Sequence, residues 1–86
     1  MIAEKSELKE KEKYSKAIGK GIRSLREAKD ISIKDFEGLE DTLDRHTLSR
    51  IENGKTTPSV YTLFKICRAL GISQTELFKQ LEKDWK

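Results

Sequence analysis

Apolar residues in this chain recur at helical spacing along most of its length and nowhere alternate as strand residues do. Ile18, Ile22 and Leu25 repeat at i, i+4 and i+7, which predicts an amphipathic helix over about residues 15–29. Gly19 and Gly21 are poor helix formers inside it and suggest close packing or a soft first turn. Ser32 reads as an N-cap with Asp35 three residues on, and Phe36, Leu39 and Leu43 supply the apolar face of a short second helix. Glu40, Asp41 and Thr42 are expected to form the turn after it. A third helix, over about residues 45–53, lies between an N-cap at Asp44 and a stop at Gly54, with Leu48 and Ile51 facing inward. The loop Lys55-Thr56-Thr57-Pro58 leads to a fourth helix, capped by Thr57 or Ser59. Its broad apolar face holds Val60, Leu63, Ile66, Cys67 and Leu70 and ends at Gly71. Phe64 is expected in the core, with Tyr61 at its edge. Ser73 caps a fifth helix, with Glu76 at the capping-box position. Leu77, Phe78 and Leu81 form its apolar face, and Trp85 extends it. The pattern predicts an all-α domain of five short helices.

Residues 1–14 break the pattern. Glu4 to Lys13 holds four lysines and four glutamates, and Leu8 is the one strong apolar group after Ile2. Pairs such as Glu7 with Lys11 and Glu12 with Lys16 favour helix by about 0.2–0.5 kcal/mol each, but no apolar stripe is present to dock it. The expectation is a charged N-terminal arm over residues 1–14, helical or disordered, followed by one domain over residues 15–86. The arm either stays solvated or reaches DNA or a partner.

Composition narrows the class. Eighty-six residues suffice for one compact domain, and 35% apolar against 38% charged residues implies a small core in a charged shell. No apolar run is long enough for a membrane span or a signal peptide. Cys67 is a lone cysteine, expected as a small core residue in a reducing cytoplasm. His46 is the one histidine and lacks partners at metal-ligand spacing, so no metal or cofactor is expected. No catalytic motif is present, and the chain reads as a non-enzyme.

The third helix carries the candidate chemistry. With Leu48 and Ile51 inward, Arg45, His46, Thr47, Ser49 and Arg50 face out as donors and acceptors on a narrow rod. Such a rod fits the DNA major groove, where base edges present a distinguishable code. The charge balance resists that reading. The chain as a whole is +3, but residues 32–57 hold Lys34, Arg45, Arg50 and Lys55 against Asp35, Glu37, Glu40, Asp41, Asp44 and Glu52, a balance of −2. A DNA reader must turn those carboxylates away from phosphate.

The string Leu48-Ser49-Arg50-Ile51-Glu52-Asn53-Gly54-Lys55 is followed by Pro58-Ser59, Leu63, Lys65-Ile66, Ala69-Leu70-Gly71-Ile72 and Leu77-Phe78. With Ile18-Gly19-Lys20 and Ile22-Arg23-Ser24-Leu25-Arg26, it closely resembles the Xre/Cro/C1-type helix-turn-helix family over about residues 15–81. The resemblance implies a five-helix lambda-repressor-like DNA-binding domain. It implies base contacts by Arg45, His46 and Thr47, with Ser49 and Arg50 one turn on. It implies phosphate contacts by Asn53, Lys55 and Thr56, and an ion pair between Arg26 and Glu52 that ties the first helix to the third.

Two departures from the family pattern concern the second helix. Ile33 stands where a phosphate-binding glutamine is usual, which passes that role to Lys34 or a backbone amide. Glu37 stands where a small buried residue is usual, which suggests that the second helix sits differently. The function expected is a sequence-specific regulator of double-stranded DNA, a repressor acting as a homodimer. Dimer contacts are expected from Tyr61, Phe78 and Trp85. Two alternatives stand beside it: an antitoxin that binds a toxin partner and represses its own operon, and a scaffold for protein contacts alone. The −2 balance supports the second.

Overall fold

The computed structural model describes the backbone of residues 2–39 and 43–84 and the side chains of residues 7–39 and 43–83. Five helices and no strand are found among them: α1 (Ile2–Ala28), α2 (Ile33–Leu39), α3 (Arg45–Glu52), α4 (Val60–Leu70) and α5 (Gln74–Asp84). The expected turn at Glu40, Asp41 and Thr42, and Trp85, lie outside the described residues.

The core is where the periodicity puts it. Ile18 and Ile22 of α1, Phe36 of α2, Leu43, Leu48 and Ile51 of α3 and its approach, Leu63, Ile66, Cys67 and Leu70 of α4, and Leu77 and Leu81 of α5 pack together, each at most 5% exposed. Full burial of a leucine, isoleucine or phenylalanine contributes about 1.5–3 kcal/mol, so these dozen residues dominate the fold. α1 packs on α3 and α5, α2 on α3 and α4, and α4 on α5.

Local chemistry sets the element ends. Ser32 and Asp35 form a reciprocal capping box at α2, with Asp35 N–H donating to Ser32 Oγ at 3.0 Å and Ser32 N–H to Asp35 Oδ2 at 3.4 Å. Ser59 caps α4 through Thr62 N–H, and Ser73 accepts from Glu76 N–H at the start of α5. At the C-terminus of α3, Lys55 N–H reaches back to Arg50 O and Gly54 N–H to Ile51 O, with Gly54 at φ 71°. This Schellman arrangement demands a left-handed residue.

Four positions depart from expectation. Phe64 is exposed rather than core, because it lies 100° round α4 from Leu63, off the arc that Leu63, Ile66, Cys67 and Leu70 bury. Val60, in the first turn of α4, is 76% exposed because the core begins one turn later. Leu39 ends the seven-residue α2 and projects past the core, and Phe78 lies at the flank of α5 beside buried Leu77. The first helix also begins far earlier than residue 15. α1 runs unbroken through the charged segment for 27 residues, as lysine and glutamate at i, i+4 allow.

Candidate nucleic-acid interface

α3 is held from behind by an unusually close approach. A Cβ on Gly19 would lie 2.3 Å from Ile51 O and 2.6 Å from Glu52 O, so only glycine lets α1 meet the last turn of α3 at that distance. One and two turns further along the same face of α1, Arg23 and Arg26 take over. Arg26 Nε donates to Glu52 Oε2 at 2.7 Å and Arg26 Nη2 to Oε1 at 3.0 Å, a bidentate pair. Arg26 Nη1 also donates to Ile31 O at 2.6 Å, which ties down the α1–α2 connection. The Glu52 hydrogen bond holds the Arg26 guanidinium above its usual pKa, against the opposing effect of burial.

Arg23 completes this junction and was not anticipated from sequence. Its Nε donates to Glu52 Oε1 at 3.3 Å and its Nη2 to Asn53 Oδ1 at 2.9 Å. The signal for it was present: Gly19, Arg23 and Arg26 share one face at i, i+4 and i+7. Asn53, expected at phosphate, has its side-chain amide engaged within the domain, since its Nδ2 donates to Ser49 O at 2.9 Å.

The front end of α3 is capped by two carboxylates. Asp44 Oδ1 accepts from Thr47 N–H at 2.7 Å, and this backbone hydrogen bond is the main reason its carboxyl titrates below the ordinary value. Glu37 Oε2, reaching across from α2, accepts from Arg45 N–H at 2.7 Å. Glu37 is thus the second unanticipated residue, and its departure from the family pattern has a physical role. It satisfies one of the orphan amides of α3 and joins α2 to α3.

These contacts give the described carboxylates fixed partners, although only Glu52 is paired with opposite charge. All four described carboxylates of residues 32–57 are occupied: Asp35 and Asp44 in caps, Glu37 on the α3 N-terminus, and Glu52 on two arginines. Glu40 and Asp41 lie outside the described residues. The outer face of α3 stays open. Arg45, His46 and Arg50 are exposed, and Thr47 and Ser49 are half-buried. His46, Ser49, Arg50 and Asn53 share one face at i, i+3, i+4 and i+7, flanked by Arg45 on one side and Thr47 on the other.

Of the expected phosphate residues, Lys34 is exposed in the first turn of α2, whose neighbour Ile33 packs against the core. Lys55 and Thr56 line a groove of about 320 Å³ between the loop after α3 and α1, opposite Lys11, Glu12 and Ser15. Ser15, itself buried, closes one end through a hydroxyl hydrogen bond to Thr57. Tyr61 and Phe78 are both exposed. Tyr61 stacks on Phe64 at a centroid distance of 6.2 Å. Burial pushes the Cys67 thiol pKa up, in keeping with a core residue.

A short helix anchored from behind, capped at its front and open along its outer face defines a helix-turn-helix DNA-binding domain. The helix-turn-helix family model matches residues 22–77, and the chain belongs to this family, of the Xre/Cro/C1 type. It is similar to control protein C.MunI of Mycoplasma sp., at 43% identity over 78% of this chain and 90% of the relative. It is also similar to the uncharacterized HTH-type transcriptional regulator y4dJ of Sinorhizobium fredii, at 32% identity over 72% and 79%. In fold it is similar to the clp gene regulator ClgR of C. glutamicum, at a TM-score of 0.79 and 23% identity over 85% of this chain and 94% of that one. No described helix is long and apolar enough to cross a membrane.

Proposed function

We propose that this protein is a sequence-specific regulator of transcription that inserts α3 into the major groove of double-stranded DNA, as a homodimer and a repressor. The single observation that carries the reading is the division of charge on α2 and α3. The described carboxylates are spent on caps and on arginine, while Arg45, His46 and Arg50 remain exposed on the outer face. Arginine on guanine O6 and N7 is worth about 1–3 kcal/mol of discrimination, and Arg45 and Arg50 are the candidates for it. Lys34, Lys55 and Thr56 then serve the phosphates, with the Asn53 backbone beside them. One recognition helix reads few base pairs, so a two-fold dimer on half-sites about one helical turn apart supplies the specificity. The exposed aromatics Tyr61 and Phe78 are the surfaces for that contact.

Selection from a random duplex library at two salt concentrations tests the reading. The expected result is a palindromic motif whose enrichment is lost in Arg45→Ala, while the melting temperature stays unchanged. Enrichment of no motif, or a motif indifferent to Arg45→Ala and Arg50→Ala, overturns it.

A further inference from the structure

None of residues 7–14 of α1 belongs to the core. Every residue from 7 to 14 is exposed, Leu8 included at 59%. A segment without a core role has no packing reason to hold one direction, yet this one is continuous with a firmly seated helix. Gly19 sits against the backbone of α3, Lys16 lies against Gly54, and Ser15 bonds to Thr57. The charged half therefore projects from the α3–α4 loop as a rod.

The rod also sorts its charges. Lysines and glutamates are equal in number between residues 4 and 13, but Lys9, Lys13, Lys16 and Lys20 recur at i, i+4, i+7 and i+11. That spacing places all four on one stripe of α1, and all four are exposed. Glu7 and Glu10 fall off the stripe. Glu12 borders it, and Glu27 lies on its line two turns beyond Lys20. The stripe meets the phosphate-facing end of the domain at Lys16, which touches Gly54 immediately before Lys55 and Thr56.

We propose that Lys9, Lys13, Lys16 and Lys20 bind the phosphodiester backbone of duplex DNA beyond the base pairs read by α3. The inference rests on the DNA-binding reading above. Lysine suits this task as a point charge that needs no fixed geometry. A helical mount keeps the charges in place at a lower entropic cost than a flexible tail. Each phosphate neutralised releases counterion and steepens the salt dependence of binding by about 0.9 in log–log slope.

The test compares that slope for the wild type, the double variant Lys9→Gln/Lys13→Gln, Lys55→Gln, and a charge-matched control, Lys79→Gln/Lys83→Gln on α5. The probe is a duplex of about three helical turns carrying the selected motif. The stripe variant removes two lysines from each protomer and is expected to flatten the slope of the dimer by about 2–4 and weaken binding at low salt, with an unchanged melting temperature. The control keeps the wild-type slope. Trimming the flanks of the duplex is expected to erase the difference between wild type and stripe variant. A stripe variant with the wild-type slope, while Lys55→Gln is flattened, overturns the inference and leaves the DNA reading standing. Equal flattening in the α5 control also overturns it, since the effect is then one of net charge. Absence of salt-dependent binding by the wild type overturns the DNA reading and the stripe together.

Discussion

The inner face of α3 carries Leu48, Ile51 and Glu52, all buried, and each is fixed by several partners. The outer face carries Arg45, His46 and Arg50, exposed and offered to solvent, although each lies within three positions of an inner-face residue in the same eight-residue helix. An isolated helix of this length is not stable in water. The outer face has a defined shape only because the inner face, both caps and the Gly19 contact impose one. The stabilising contacts and the exposed polar face therefore come from interleaved residues without sharing any side chain, which makes the two separable by mutation.

The largest effect is expected at the carboxylate that locks the inner face. Glu52→Ala leaves Arg26 nearly buried and unpaired, and loss of one partner of a buried pair costs about 3–5 kcal/mol. Chemical denaturation should show that loss, and a variant as stable as the wild type would mean that the ion pair does not hold α3. Next comes Gly19→Ala. Alanine is the better helix former by about 1 kcal/mol, yet its methyl meets backbone carbonyls that have no rotamer to change, so a net loss of about 1–3 kcal/mol is expected. A gain in melting temperature would show that α1 and α3 separate at little cost.

The smallest effect concerns the front cap and pH. The Asp44 carboxyl is depressed by its hydrogen bond from Thr47 N–H, so its contribution is complete above the ordinary carboxylate pKa and lost as pH falls through the lowered folded value. An acid titration of stability should fall less in Asp44→Asn than in the wild type below about pH 4. Identical acid limbs would count against the cap. Set against these, the Arg45→Ala variant should keep full stability and lose its motif, which would complete the contrast between the faces.

Much of this was legible in the residues. The five helices follow from apolar spacing and from caps at Ser32, Asp44, Ser59 and Ser73, because those signals act over one or two turns. Phe64, Val60, Leu39 and Phe78 lie outside the core because periodicity gives the direction of a buried face but neither the width of the arc its neighbours cover nor how far along the helix they reach. Glu37 was visible only as an anomaly. Its meaning depends on where α2 delivers a side chain relative to the first amide of α3, a distance across the turn rather than along the chain.

The sequence alone determined the helical periods, their ends, and the string from Leu48 to Lys55 that marks the family, since each depends on covalent neighbours a few residues apart. Tertiary structure decided which charges remain available. It spent Asp44 and Glu37 on helix amides and Glu52 on two arginines from α1, and it set the lysine stripe of α1 beside the α3–α4 loop, where Lys16 lies against Gly54. Counting charges along a chain treats every one as free, whereas burial, hydrogen bonding and helical geometry assign each a direction and a partner.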